Sequence, residues 1–437
     1  MPNPKSFVEE ALRTIDSSKF LHRTDGGDVS QGTYWWLAPA SLTLGGLTVT
    51  FMAYHVVKLI FYKGRSRMGV DTRPNLTVGV FRNKRICTVD AVLQFLFPLI
   101  LPVGELCLDE SGKAPSTETL ARIRAKANTV SAMTYNTTIE ALDYEKETVA
   151  LRNCTVLLHT RKVDEDTHIP TAQKPPLVVW AHGGGLTIGS AVDATLADFM
   201  KLVARNLHGP QGRGGEMPAW ASVEYRMAPE HKFPAAIDDF VDAVLHFHEE
   251  NALSDSYSSI HLAGTSAGAY LLFTALERLS RCHPNISISS VFAQEPMMPL
   301  TGDYPSEFVN AYTRTCLPRW IKWAWGSFAP GGEDVYCGMT ESSWWSGYAA
   351  ESRPPRFIVT LAKGDPMFGA AHALVDAMEA AEGMKLDVFV AESSHACSVL
   401  DYSVHEKMVE KLVDNLYNPT ENSEERASDE SFDEDSD

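Results

Sequence analysis

Between about residue 134 and residue 416 the chain alternates short apolar runs with longer stretches of helical period. Apolar runs fall at 177–181, 219–225, 260–263, 287–293, 357–362 and 386–391. They are nearly continuous rather than alternating, the pattern of strands covered on both faces. Helices are predicted between and after them, at 194–206, 235–250, 267–280, 370–382 and 403–416. Strand and helix in repeated succession build a mostly parallel sheet flanked by helices, so the predicted fold is α/β, in one large domain over 134–418.

The flanking segments read differently. Residues 34–57 hold no Asp, Glu, Lys or Arg, and about 20 mainly apolar residues suffice for a helix to cross a bilayer. Trp35 and Trp36 stand at one end, and Tyr54, Phe61 and Tyr62 near the other, as interfacial aromatics do. The expectation is a polar segment over 1–33 and a single membrane anchor over 34–62, too far from Met1 to be a cleaved leader.

Lys58, Lys63, Arg65, Arg67 and Arg73 follow the run, which by the positive-inside rule keeps the bulk of the chain in the cytosol. Four Asn-x-Ser/Thr sequons, at Asn75, Asn136, Asn153 and Asn285, point to the other face. The expected location is the endoplasmic reticulum membrane, with both orientations open.

Residues 63–133 are expected to form a cap or N-terminal helical region. A second apolar run there, 91–103, is broken by Gln94, Pro98 and Pro102 and is short for a span. Trp320, Trp323, Trp325, Trp344 and Trp345 lie between two predicted strands, where an insertion belongs. Hydrophobic packing is their expected role, and an acyl-binding wall the alternative. Past Pro419 the tail to 437 lacks the apolar residues to offset ordering entropy, and disorder is expected.

Composition narrows the function classes. The 437 residues are 44% hydrophobic and 22% charged, ample for a large core. The net charge of −18 includes nine acidic residues against Arg426 alone over 421–437. With no basic stripe, nucleic acid is excluded as an expected partner. Seven cysteines without CxxC spacing suggest neither a zinc site nor a complete disulfide framework. No metal or organic cofactor is expected.

The candidate chemistry begins at Gly264-Thr265-Ser266-Ala267-Gly268. It follows the strand Ile260-His261-Leu262-Ala263 and opens a predicted helix, the setting of a nucleophile elbow. Small flanking residues suit the sharp turn that presents the serine. After the strand 177–181 comes His182-Gly183-Gly184-Gly185, a loop whose bare backbone N–H groups can approach an oxyanion, with the N–H of Ala267 as a further donor. A phosphate cradle is the other use of such a loop, but no Lys-Ser/Thr follows and GxGxxG spacing is absent.

This chain order needs its acid and then its histidine after the serine. Asp365 lies just past the strand 357–362 and His395 just past the strand 386–391, at strand C-terminal ends where open α/β sheets assemble sites. His246, His248, His372 and His405 fall in helical stretches, Asp376 in a helix and Asp387 in a strand.

Over about residues 176–395 the chain resembles the hormone-sensitive-lipase family of α/β-hydrolases, including its arylacetamide deacetylase-like and steryl acetyl hydrolase-like members. The resemblance rests on the His-Gly-Gly-Gly loop, on Tyr225-Arg226-Met227-Ala228-Pro229-Glu230 with Phe233-Pro234-Ala235-Ala236 and Asp238-Asp239, on the GTSAG elbow and on Gly364-Asp365-Pro366. It implies a triad of Ser266, Asp365 and His395 and an oxyanion hole from Gly183, Gly184, Gly185 and Ala267, with Gly184 and Gly185 the better loop donors. His182 is implied to hold the loop, and Arg226 and Glu230 to be buried polar partners.

Two departures bear on the pockets: Met367-Phe368-Gly369-Ala370 stands where acidic residues are common, and Cys397 where an aromatic is usual. The activity implied is serine hydrolysis of lipophilic carboxylic esters. Amide deacetylation by the same triad and a non-catalytic receptor on the same fold are the alternatives.

Overall fold

The computed structural model describes residues 69–71, 78–80 and 115–417, the last with breaks at 163–173, 210–213, 299–316, 332–334, 336–338, 350–354, 364, 392–394 and 396–401. The expected anchor, the second apolar run and the acidic tail lie outside the described residues. Among those described, no helix is long and apolar enough to cross a membrane.

Two short strands, β1 (Gly69–Asp71) and β2 (Val78–Val80), form an antiparallel pair. The large sheet contains β3 (Tyr144–Ala150), β4 (Thr155–Arg161), β5 (Leu177–Ala181), β6 (Ala219–Glu224), β7 (Ile260–Thr265), β8 (Ser290–Gln294), β9 (Arg356–Ala362) and β10 (Lys385–Ala391). Their order across it is β3-β4-β6-β5-β7-β8-β9-β10. The pairs β3/β4 and β4/β6 are antiparallel and all the others parallel.

The helices are α1 (Thr117–Ala141), α2 (Ala194–His208), α3 (Ala235–Ser254), α4 (Ala267–Cys282), α5 (Leu317–Phe328), α6 (Ser342–Ala349), α7 (Phe368–Glu379) and α8 (Tyr402–Tyr417). Side chains of period two divide the sheet between two apolar layers. Val178, Trp180, Trp220, Ala263 and Phe292 join the layer of α1, α2 and α8. Leu177, Val179, Ala221, Leu262 and Val291 join the layer of α3, α4 and α7. Burial on both faces is why the sequence of these strands is continuously apolar.

The predicted strands and helices are found with shifted ends. The strand β3 escapes the apolar-run criterion because it is exposed along most of its length, and β4 because it is only partly buried and polar at its end. The helix α1 runs straight through the boundary expected at 133/134. Ser116 starts it as an N-cap, its hydroxyl oxygen accepting the Thr119 N–H at 3.1 Å.

The tryptophan-rich stretch lies between β8 and β9. Trp345 is fully buried against Phe273 and Phe357, and Trp325 meets Tyr270 edge to face. These two have the packing role expected of the stretch. Trp320 and Trp323 remain half-buried, beside the small cluster of Leu120, Ile123 and Ile188.

Candidate active site

The parallel register brings the C-terminal ends of β5, β7, β8 and β9 to one edge of the sheet. Ser266 occupies the turn between β7 and α4 with φ 52° and ψ −115°, a strained conformation for a residue with a side chain. Neighbouring backbone holds it there: Ser266 N–H donates to Gln294 O at 2.8 Å, and its carbonyl accepts the Met297 N–H at 2.9 Å. Gly268 is required by close approach, since a Cβ there would stand 2.0 Å from the Ala181 carbonyl oxygen.

His395 Nε2 lies 2.9 Å from Ser266 Oγ, and His395 Nδ1 lies 2.5 Å from Asp365 Oδ2. With the proton on Nδ1, that nitrogen donates to the carboxylate and Nε2 accepts from the serine hydroxyl. Asp365 is buried, and its other oxygen accepts the Met367 N–H at 2.8 Å. Met367 thus supplies a backbone support where the family pattern departs. Burial works against the His395 cation, but the charge and hydrogen bond of Asp365 and the charge of Glu295 outweigh it and raise its pKa to about 9.

The glycine loop lies beside this group. A Cβ on Gly183 would meet Thr265 Oγ1 at 3.0 Å and Ser266 Cβ at 3.5 Å, so the loop passes directly against the elbow. Gly184 has φ +120°, and a Cβ on it would stand 2.0 Å from the Ile188 carbonyl oxygen. Among the described residues, the N–H groups of Gly184, Gly185 and Ala267 have no protein acceptor. His182 is buried and stacked on Tyr225, with ring centroids 4.1 Å apart, and the Tyr225 hydroxyl donates to the His182 carbonyl at 2.7 Å. That stack holds the base of the loop.

Arg226 and Glu230 have separate partners. The Arg226 guanidinium and its backbone N–H both donate to the fully buried Asp239 carboxylate, at 2.8–3.0 Å. Glu230, expected to be buried, instead lies at the surface, its side chain 42% exposed, where it pairs with Arg124 of α1. Arg124 also donates to the carbonyls of Thr187 and Ala228.

Sequence reasoning missed two contributors to the site, Arg124 and Glu295, and left Trp320 open between a packing role and an acyl-binding wall. Arg124 comes from a region outside the motifs and carried no signal. Trp320, whose ring lies 3.0 Å from where a Gly185 Cβ would be, donates its indole N–H to Thr187 Oγ1 at 3.3 Å. Glu295, at the end of β8, places Oε2 3.8 Å from His395 Nδ1. An acidic residue before a proline at a strand C-terminal end was its available signal.

Residues 178–397 match a family described as alpha/beta hydrolase fold. The chain belongs to this family. Among curated relatives, this hydrolase is 24% identical over 261 residues to "Probable carboxylesterase 8" of Arabidopsis thaliana, covering 55% of this chain and 75% of that protein. It is 40% identical over 98 residues to carboxylesterase NlhH of Mycobacterium tuberculosis, covering 21% of this chain and 26% of that one.

The hyperthermophilic esterase of the archaeon Pyrobaculum calidifontis shares the fold with a TM-score of 0.55, at 19% identity over 75% of this chain and 96% of its own. A thermostable esterase of Pseudomonas putida does so at 0.54, with 16% identity over 73% and 97%. The expected hormone-sensitive-lipase-like family is supported at this level, and the site is that of a serine carboxylic-ester hydrolase.

Proposed function

We propose that Ser266 is the nucleophile of an esterase acting on lipophilic carboxylic esters, with His395 as base and acid and Asp365 as its orienting carboxylate. The observation that carries this is the continuous contact from Asp365 through His395 to Ser266, at 2.5 Å and 2.9 Å. His395 takes the serine proton as Oγ adds to the ester carbonyl. The N–H groups of Gly184, Gly185 and Ala267 receive the oxyanion, one such donor contributing about 3 kcal/mol. The alkoxide leaves with the proton from His395, forming the acyl-enzyme. Water, deprotonated by His395, then releases the acid and restores Ser266.

The lipophilic preference rests on the apolar side of the oxyanion loop, where Trp320 and Trp323 lie with Ile188. A receptor reading is disfavoured by an intact hydrogen-bonding histidine. The uncharged run at 34–57 supports work at a membrane, the endoplasmic reticulum being the expected one.

The finer likeness to arylacetamide deacetylases and steryl acetyl hydrolases is a question of leaving group. A panel of aryl esters from acetyl to dodecanoyl, with a sterol acetate and an acetanilide alongside, tests the reading. Hydrolysis favouring medium acyl chains, with that preference altered by Trp320→Ala, supports it. Activity confined to the anilide, or to short hydrophilic esters, overturns it.

A further inference from the structure

The strands β7, β8 and β9 are neighbours in the sheet, and each delivers one polar residue to the same point: Ser266 after β7, Glu295 after β8 and Asp365 beyond β9. Glu295 is fixed from both sides. Its N–H donates to Thr360 O at 2.9 Å, and the residue before it accepts the Ser266 N–H at 2.8 Å. Its φ of 45° is a left-handed conformation that residues with side chains adopt only where surroundings over-determine it. The carboxylate is buried, with Oε2 3.8 Å from His395 Nδ1, the same nitrogen that Asp365 Oδ2 meets at 2.5 Å. Polar atoms of Glu295, Asp365 and His395 all lie within 4.8 Å of one another.

We propose that Glu295 is a second carboxylate serving His395, a positioning residue that shares the holding of its cation with Asp365 and sustains part of catalysis when Asp365 is lost. The proposal rests on the reading of Ser266, Asp365 and His395 given above. Burying a carboxylate is unfavourable unless a charge or hydrogen-bond donor faces it, and His395 faces this one at 3.8 Å. At 3.8 Å the contact is an ion pair beside the shorter Asp365 hydrogen bond. The charge that forms on His395 as Ser266 gives up its proton is therefore met from two directions.

Among the described residues, the groups placed against His395 are Asp365 from beyond β9, Glu295 from β8 and the Ser266 hydroxyl from the elbow. Both carboxylates act in the sense of the raised His395 pKa. Glu295 also stands after the strand next to the one that precedes Asp365, with its carboxylate 3.8 Å from the nitrogen that Asp365 holds.

The test uses the full chain as wild type, Glu295→Gln, Asp365→Asn and the double variant, with Ser266→Ala as control, on a p-nitrophenyl ester across pH 6 to 10.5. Glu295→Gln is expected to move the acid limb of kcat/KM to lower pH, while Glu295→Asp keeps it near wild type. Asp365→Asn is expected to lose about 10³- to 10⁴-fold, and the double variant at least about tenfold more.

An unmoved limb in Glu295→Gln, together with a double variant no worse than Asp365→Asn, overturns the proposal while Ser266→Ala remains inactive. Activity retained by Ser266→Ala overturns the triad reading instead. Should Glu295→Gln lack a cooperative melt, the pH profile of Asp365→Asn decides: an acid limb of kcat/KM that stays above about pH 6.5 supports the second carboxylate, and one at or below about pH 6.5 contradicts it.

Discussion

The Arg124 guanidinium and the Glu230 carboxylate meet in two parallel hydrogen bonds of 2.8 Å, joining residues 106 apart in the chain. An exposed pair of this kind adds little stability by itself. Here the same guanidinium also donates to the carbonyls of Thr187 and Ala228, and so ties α1 to the loop that carries Gly184 and Gly185. Arg124→Ala is expected to lower stability by about 1–3 kcal/mol through those abandoned carbonyls. It is also expected to reduce kcat about ten- to a hundredfold by loosening the loop. Arg124→Lys recovers little, because an ammonium cannot reproduce the fork. Denaturant melts and steady-state kinetics check both, and full recovery by lysine contradicts the account.

Arg226 is expected to matter for folding more than for chemistry. Its guanidinium and backbone N–H supply four contacts to Asp239, which has no exposed surface. Arg226→Ala strands that carboxylate in the interior, and breaking a buried pair from one side costs about 3–5 kcal/mol. Equilibrium unfolding measures this, and a loss below about 1 kcal/mol argues against it.

Gly184→Ala separates backbone geometry from the triad. The added Cβ would meet the Ile188 carbonyl oxygen at 2.0 Å in a backbone conformation of φ +120°, so the loop must move. Loss of one oxyanion donor lowers kcat about 10²- to 10³-fold. Reaction of Ser266 with a covalent label should persist at a reduced rate. An unchanged kcat places the oxyanion elsewhere.

The pH dependence follows from His395, whose pKa is raised to about 9. Only the neutral imidazole accepts the Ser266 proton, so kcat/KM should rise with pH and reach half its maximum near pH 9. The stability linkage has the opposite sign. The folded pKa lies above the unfolded value of about 6.5, so the contribution is fully present below pH 6.5 and is lost as pH rises through about 9. Rate profiles and melting temperatures across this window check the pair of trends. An acid limb centred near pH 6.5 contradicts the hold that the two carboxylates exert.

The residues brought together at the site were legible for reasons that differ from one to the next. Ser266 could be read from its two glycines, because a turn this tight admits no Cβ at Gly264 or Gly268. Asp365 and His395 were read from their place after apolar runs, since a parallel sheet delivers such positions to one edge. Arg226 with Asp239 and Glu230 with Arg124 could not be paired from sequence, because such contacts depend on how loops cross after the sheet has formed. Glu295 was passed over for a similar reason: its role depends on the neighbour relation of β8 and β9, which is a property of strand order. The strand β3 was missed because an exposed edge strand carries a weak apolar signal, and β4, inside it, because its run is only partly buried.

The central claim is that Ser266 is an activated nucleophile, and active-site labelling tests it most directly. The full chain is treated with a fluorophosphonate at pH 9, digested and mapped by mass spectrometry, with hydrolysis of an aryl ester followed in parallel. One phosphonyl group on the peptide bearing Ser266, with activity lost in step and both absent from Ser266→Ala, is the expected result. Labelling at another residue, or ester hydrolysis that survives in Ser266→Ala, contradicts the assignment.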